Sequence, residues 1–175
     1  MIIAITIVLV LIGILAFAST KPNSLNIKRV ADIKAPPERI FALIDDFHNW
    51  QDWAPQDQMD PTMKRTFGGS LSGKGAFSEW ISNRGAGCGR MEITESTAPC
   101  KITVRVDFVK PFAVCNINEF TLEPMGGMTR VTWAMCGTNP YIAKVMSIFV
   151  NMKRLLGKHI EAGLHSLKTV AEVDR

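Results

Sequence analysis

Five side chains stand out as candidate general acids or bases: His48, in a stretch shared with Asp45, Asp46 and Asp52, and the strand residues Glu79, Glu92, Asp107 and Glu119. Such a group works only where a cavity holds it against a substrate and tunes its protonation. Each has a plainer reading. The run around His48 is polar enough to be a solvated turn, and Met91 and Ile93 flank Glu92, so strand alternation turns Glu92 to solvent. Asp57 and Asp60 extend the acidic cluster, but nothing in the sequence makes its members meet. The other histidines, His159 and His165, are six apart and do not stack on one helical face, so no metal site is expected. Cys88, Cys100, Cys115 and Cys136 form no CxxC pair. Their even number permits two disulfides, whereas cysteine acting as a small apolar residue gives four free, mostly buried thiols in a reducing compartment. Gly68, Gly73 and Lys74 imitate a phosphate loop, but Gly75 stands where a magnesium-binding Ser or Thr belongs, and a strand follows. No serine elbow or cysteine–histidine signature is present. No catalytic residue is assigned, and nothing calls for a cofactor.

The elements that would position these groups are legible from periodicity. Asn26–Ile33 alternates loosely as a strand. Pro36 and Pro37 open a short helix over 37–44, with Ile40, Phe41, Leu43 and Ile44 on one face, and a second short turn or helix carries Trp50 and Trp53. Strand-like runs follow at 63–67, 76–82, 88–96, 102–108, 114–122 and 129–135. Ile102, Val104, Val106 and Phe108 alternate with Thr103, Arg105 and Asp107 most cleanly. Short glycine-rich turns between them imply an antiparallel meander. From Tyr141 to Val173 the apolar residues recur at three- and four-residue steps as one long helix, with Gly157 and Gly163 inside it allowing close approach of a neighbour or a bend.

The chain has 47% hydrophobic residues, too many for a disordered chain, and its net charge of +4 is scattered, so no nucleic-acid partner is expected. Met1–Ala18 holds no charge and one polar side chain, Thr6. As a helix it would span about 27 Å, which predicts a single-pass membrane anchor over 1–20, with a linker over 21–26 and one domain over 27–173. Lys21, Lys28, Arg29 and Lys34 then place the domain in the cytoplasm. Ala16-Phe17-Ala18 leaves export behind a cleaved signal peptide as the alternative.

Between Ile27 and Lys168 the chain resembles the helix-grip superfamily of START-type lipid carriers and polyketide cyclase-like proteins (SRPBCC). The resemblance rests on Ala35-Pro36-Pro37-Glu38, Ile40-Phe41, Asp46-Phe47, Trp50, Trp53 and Pro55. It continues through Asp60-Pro61, Gly73, Gly75, Trp80, Gly89-Arg90-Met91-Glu92-Ile93 and Val131-Thr132-Trp133. It implies an α+β fold: a curved antiparallel sheet of about seven strands wrapped on a long C-terminal helix, with two short helices after the first strand. A helix and a curved sheet leave an apolar space between them, a default ligand site. Trp80, Phe108, Phe120, Trp133, Phe149 and Met152 are its candidate walls, and Trp50 and Trp53 its candidate mouth, where an indole could offer a donor. Ordinary core packing is the alternative for each. The expected function is binding of a small hydrophobic or amphipathic, lipid-like ligand. The alternatives are a polyketide cyclase or dehydratase using one of the five acid–base candidates, and a non-catalytic stress-response or interaction protein.

Overall fold

The computed structural model describes residues 2–55, 60, 62–82, 87–110 and 113–173. Asp57 and the glycine-rich turn at 83–86 lie outside the described residues.

Helix α1 (Ile2–Ser19) is followed by strand β1 (Ser24–Ile33), helix α2 (Pro37–Asp45) and a 3-10 helix (Phe47–Asp52). Six strands come next: β2 (Lys64–Gly68), β3 (Phe77–Ile81), β4 (Cys88–Thr97), β5 (Lys101–Lys110), β6 (Val114–Met125) and β7 (Met128–Thr138). Helices α3 (Tyr141–Phe149) and α4 (Met152–Glu172) close the chain. The strands form one seven-stranded antiparallel sheet in the order β1-β7-β6-β5-β4-β3-β2, so the first strand returns to pair with the last. This is the expected α+β helix-grip arrangement.

Local chemistry accounts for the turns and the curvature. Gly126 and Gly127, both at positive φ, join β6 to β7 as the two-residue turn that glycine favours. Register shifts at Cys88/Gly89 and Ile93/Glu95 bend β4 against β5, as bulges do. The alternation in β5 is borne out: Ile102, Val104 and Val106 are buried, while Arg105 points outward. The concave face is covered by α4, which lies along β1, and by α2, which lies over β5 and β6.

The sequence reading is corrected at both ends. Among the described residues no helix is long and apolar enough to cross a membrane, which overturns the single-pass placement, its transmembrane anchor and its orientation. Eighteen residues of α1 rise about 27 Å, short of a hydrocarbon core of about 30 Å. The helix end is tied into the fold instead: Ala18 is fully buried, and the Tyr141 hydroxyl donates to the Leu15 carbonyl at 2.8 Å. At the other end, the single helix expected over 141–173 is two. Val150 is extended (φ −127°, ψ 127°), and the Asn151 side chain accepts from the Arg154 amide at 3.0 Å. Asparagine bonds backbone better as an N-cap than inside a helix, and here that preference restarts the helix.

The two helix glycines do what close approach requires. A Cβ on Gly163 would sit 2.7 Å from Trp133 Cζ3 and 3.0 Å from Pro55 Cγ, while one on Gly157 would meet only the guanidinium of Arg29. An indole in a packed core cannot yield, and the tip of an arginine can. Gly163→Ala is therefore expected to lower stability by about 1–3 kcal/mol. Gly157→Ala should be neutral or stabilising by up to about 1 kcal/mol through helix propensity. Urea unfolding of both variants checks the contrast.

Candidate functional site

The centre of the concave face is built from aromatic rings. Trp50 and Trp53, carried by the 3-10 helix and its C-cap, meet at a tilt of 51° with 4.8 Å between ring centroids. Trp53 meets Phe120 edge-on at 6.2 Å and Trp133 at 6.0 Å, and Phe120 and Trp133 are 4.7 Å apart. All four rings are buried, Trp53 and Phe120 completely. Each ring contributes about 2–3 kcal/mol by burial, and edge-to-face pairing adds to that. Every indole N–H in this group is used inside the protein. Trp50 Nε1 donates to Ile44 O at 2.8 Å, Trp53 Nε1 to Leu43 O at 2.9 Å, and Trp133 Nε1 to Asn118 Oδ1 at 2.9 Å. The indole donor anticipated at a cavity mouth is thus already committed to holding α2 and β6 in place.

Trp80 and Phe108 form a separate edge-to-face pair at 5.2 Å. A Cβ on Gly89 would sit 2.5 Å from Trp80 Cη2, so this strand glycine is what lets the indole lie flat on β4. The side chain of Phe149 lies outside the described ones.

Met152 lines open space. At the end of the grip where β1 begins and α3 gives way to α4, a half-open recess of about 560 Å³ is bounded by Lys21, Pro22, Ser24, Leu25, Asn139, Ser147, Ile148, Asn151, Met152 and Lys153. It exists because α3 and α4 are not one helix: the break at Val150 turns α3 aside and leaves a gap above Leu25. Sequence reasoning found Met152 but not its neighbours. The signal it passed over was Asn151, a helix-capping residue in mid-pattern.

The acid–base candidates do not converge. Glu79 and Glu92 both pair with Arg90 at 3.1 Å on the outer face of the sheet. Glu119 pairs there with Lys101 at 3.0 Å. Asp107 accepts from Arg105 at 2.8 Å, a bond that holds its carboxyl below the ordinary value. His48 sits on an exposed turn, with Nδ1 2.7 Å from Asp46 Oδ1 and its ring 4.2 Å from that of Phe67. The four cysteines are free, with Cys100 and Cys136 exposed and Cys88 and Cys115 half-buried, so the expectation of mostly buried thiols is corrected.

A sheet gripping a helix, with a recess where the grip opens, defines a helix-grip protein. The sequence profile of the family described as polyketide cyclase / dehydrase and lipid transport matches residues 24–172, and the chain belongs to that family. Comparison with curated protein sequences gives no match. Among solved structures the chain is similar to protein MLL2253 from Mesorhizobium loti (15% identity, TM-score 0.64, covering 86% of this chain and 100% of that one). It is similar to protein CV1439 from Chromobacterium violaceum (18%, TM-score 0.61, 87% and 100%). A third is the Aha1 dimer from Colwellia psychrerythraea (16%, TM-score 0.60, 85% and 97%). At these identities the likeness is one of fold.

Two outcomes test the site's supports. Trp133→Phe strands the buried Asn118 oxygen without its donor and should cost about 1–3 kcal/mol in denaturant unfolding. His159 on α4 is partly buried, and desolvation lowers its pKa from the ordinary 6.5. Below 6.5 the unfolded chain then binds more protons than the folded one, so stability rises with pH across that window and is lost as pH falls through it. His159→Gln should flatten this slope in melting experiments run between about pH 5 and 7.

Proposed function

We propose that the protein binds a small hydrophobic or amphipathic, lipid-like molecule, held in the recess between the start of β1 and the α3–α4 junction. The observation that carries this reading is the recess itself. Its volume of about 560 Å³ falls within the range of about 300–1,000 Å³ usual for small-ligand sites, and Leu25, Ile148 and Met152 give it an apolar side beside polar and charged residues. Methionine adapts its shape to varied apolar guests. The family description, which joins lipid transport to cyclase and dehydrase chemistry, agrees with a hydrophobic ligand. Cyclase or dehydratase chemistry would require an acid or base at the ligand. The five candidates all stand on the outer sheet face or an exposed turn, which favours binding over catalysis. The central aromatic rings do not line this recess, and in this reading they hold the grip together rather than contain the ligand.

The test uses N-phenyl-1-naphthylamine, a neutral apolar fluorophore, titrated into the full chain. Saturable, blue-shifted emission at one equivalent is expected, and Ser147→Trp, which fills the recess from α3, should abolish it while leaving the melting temperature of a folded protein. Absence of saturable binding, or equal binding by the filled variant, would overturn the assignment.

A further inference from the structure

The polar rim of the recess carries one sign of charge. Lys21 and Lys153 are among its lining residues, and no Asp or Glu is. A third cation stands behind the wall. Lys144 is 7% exposed, and its ammonium donates to Asn23 Oδ1, a neutral partner that sits between the lining residues Pro22 and Ser24. Six cations elsewhere are ion-paired: Arg29 with Glu161, Arg90 with Glu79 and Glu92, Lys101 with Glu95 and Glu119, Arg105 with Asp107, Arg130 with Asp32, and Lys168 with Glu172. Among the described residues Lys21, Lys144 and Lys153 make no such pair, and Lys21 rests instead over the ring of Phe17 at 4.8 Å. Burying an ammonium without a counter-charge is costly. Lys144, buried against a neutral partner, and Lys21 and Lys153 on a rim whose lining holds no carboxylate together make this recess a place where an anion lowers the energy of the site.

We infer that the ligand is an anionic amphiphile, a carboxylate or phosphate monoester on a hydrocarbon tail, with its head at Lys21 and Lys153 and its tail against Leu25, Ile148 and Met152. The inference rests on the binding reading above and adds the class of head group. Lys144, reaching the rim through Asn23, biases the recess toward negative charge without touching the ligand. Ser147 and Asn139 also line the recess, with the Ser147 hydroxyl donating to Lys144 O at 2.7 Å and the Asn139 amide to Pro22 O at 2.9 Å.

Displacement of N-phenyl-1-naphthylamine from the full chain by dodecanoate, dodecyl phosphate, dodecyl maltoside and dodecyltrimethylammonium separates head from tail. The two anions are expected to compete about tenfold more tightly than the neutral and cationic amphiphiles, an advantage that shrinks with added salt. Lys21→Gln and Lys153→Gln should each weaken the anions about threefold and leave dodecyl maltoside unchanged. Inorganic phosphate alone should not displace the probe. Equal competition by all four amphiphiles, or insensitivity to both substitutions, overturns the head-group inference while the apolar site stands. Displacement by inorganic phosphate as effective as by dodecyl phosphate overturns the amphiphile and leaves a plain anion site. Failure of the fluorophore itself to bind removes the underlying reading, and the inference falls with it.

Discussion

The packing of Gly163 against Trp133 and Pro55 is the contact on which the rest of the molecule depends. Trp133 lies on β7, the strand that pairs with both β1 and β6, and its indole is at once a wall of the core, a donor to Asn118 and the surface on which α4 rests. The missing Cβ at Gly163 brings the helix down until it touches the ring. Trp53 and Phe120 then close around that ring at 6.0 and 4.7 Å, and Trp50 follows through Trp53. A grip this tight at its centre leaves no separation between sheet and helix there. Whatever space the fold retains has to lie toward an end.

That constraint explains why the fold could be read from the sequence more completely than the site. Each strand run appears within a few residues of its expected place because period-two alternation is a local property. Met91, Ile93, Ile102, Val104 and Phe120 reveal themselves one residue at a time. The wall residues Trp80, Trp133 and Phe120 were also legible as inward-facing. What alternation cannot state is whether an inward ring borders a hollow or fills it. Four aromatics converging from β6, β7 and the 3-10 helix is a fact of tertiary distance, and it converts candidate ligand contacts into mutual contacts. The same locality made Glu92 readable as outward, while the partners Arg90, Glu79 and Lys101 that make the outer face an ion-pair lattice depend on cross-strand register.

The two corrections have a common origin in counting hydrophobic residues without asking what else they touch. The apolar run of α1 is uniform around the helix, which reads as a segment surrounded by lipid. In the structure it is a helix of limited length, docked through Leu15 and Ala18 to the chain that follows β7. The C-terminal pattern is regular enough to predict one rod, because Val145, Ile148, Met152, Leu155 and Leu156 keep helical spacing across the join. Periodicity survives a break when the two halves happen to stay in phase. A polar capping residue such as Asn151 is the local sign that they are separate, and its energetic weight, about 1 kcal/mol, is comparable to the cost of one interrupted turn.

The break also decides the chemistry of the recess. Had α3 continued into α4, Ile148 and Met152 would have been consecutive ridges of one helix, one turn apart. Turning α3 aside places apolar ridge and polar flank on facing sides of one gap. Asn139 reaches Pro22 O at 2.9 Å to tie the chain between α1 and β1 across it. Lys21 arrives on that same connecting segment and Lys153 on the first turn of α4, so the two ammonium groups come from opposite banks. An enclosed cavity at the centre of the grip would have been uniformly apolar and indifferent to a head group. A gap made by a helix restart is amphipathic by construction, because charged residues flank the restart as well as apolar ones.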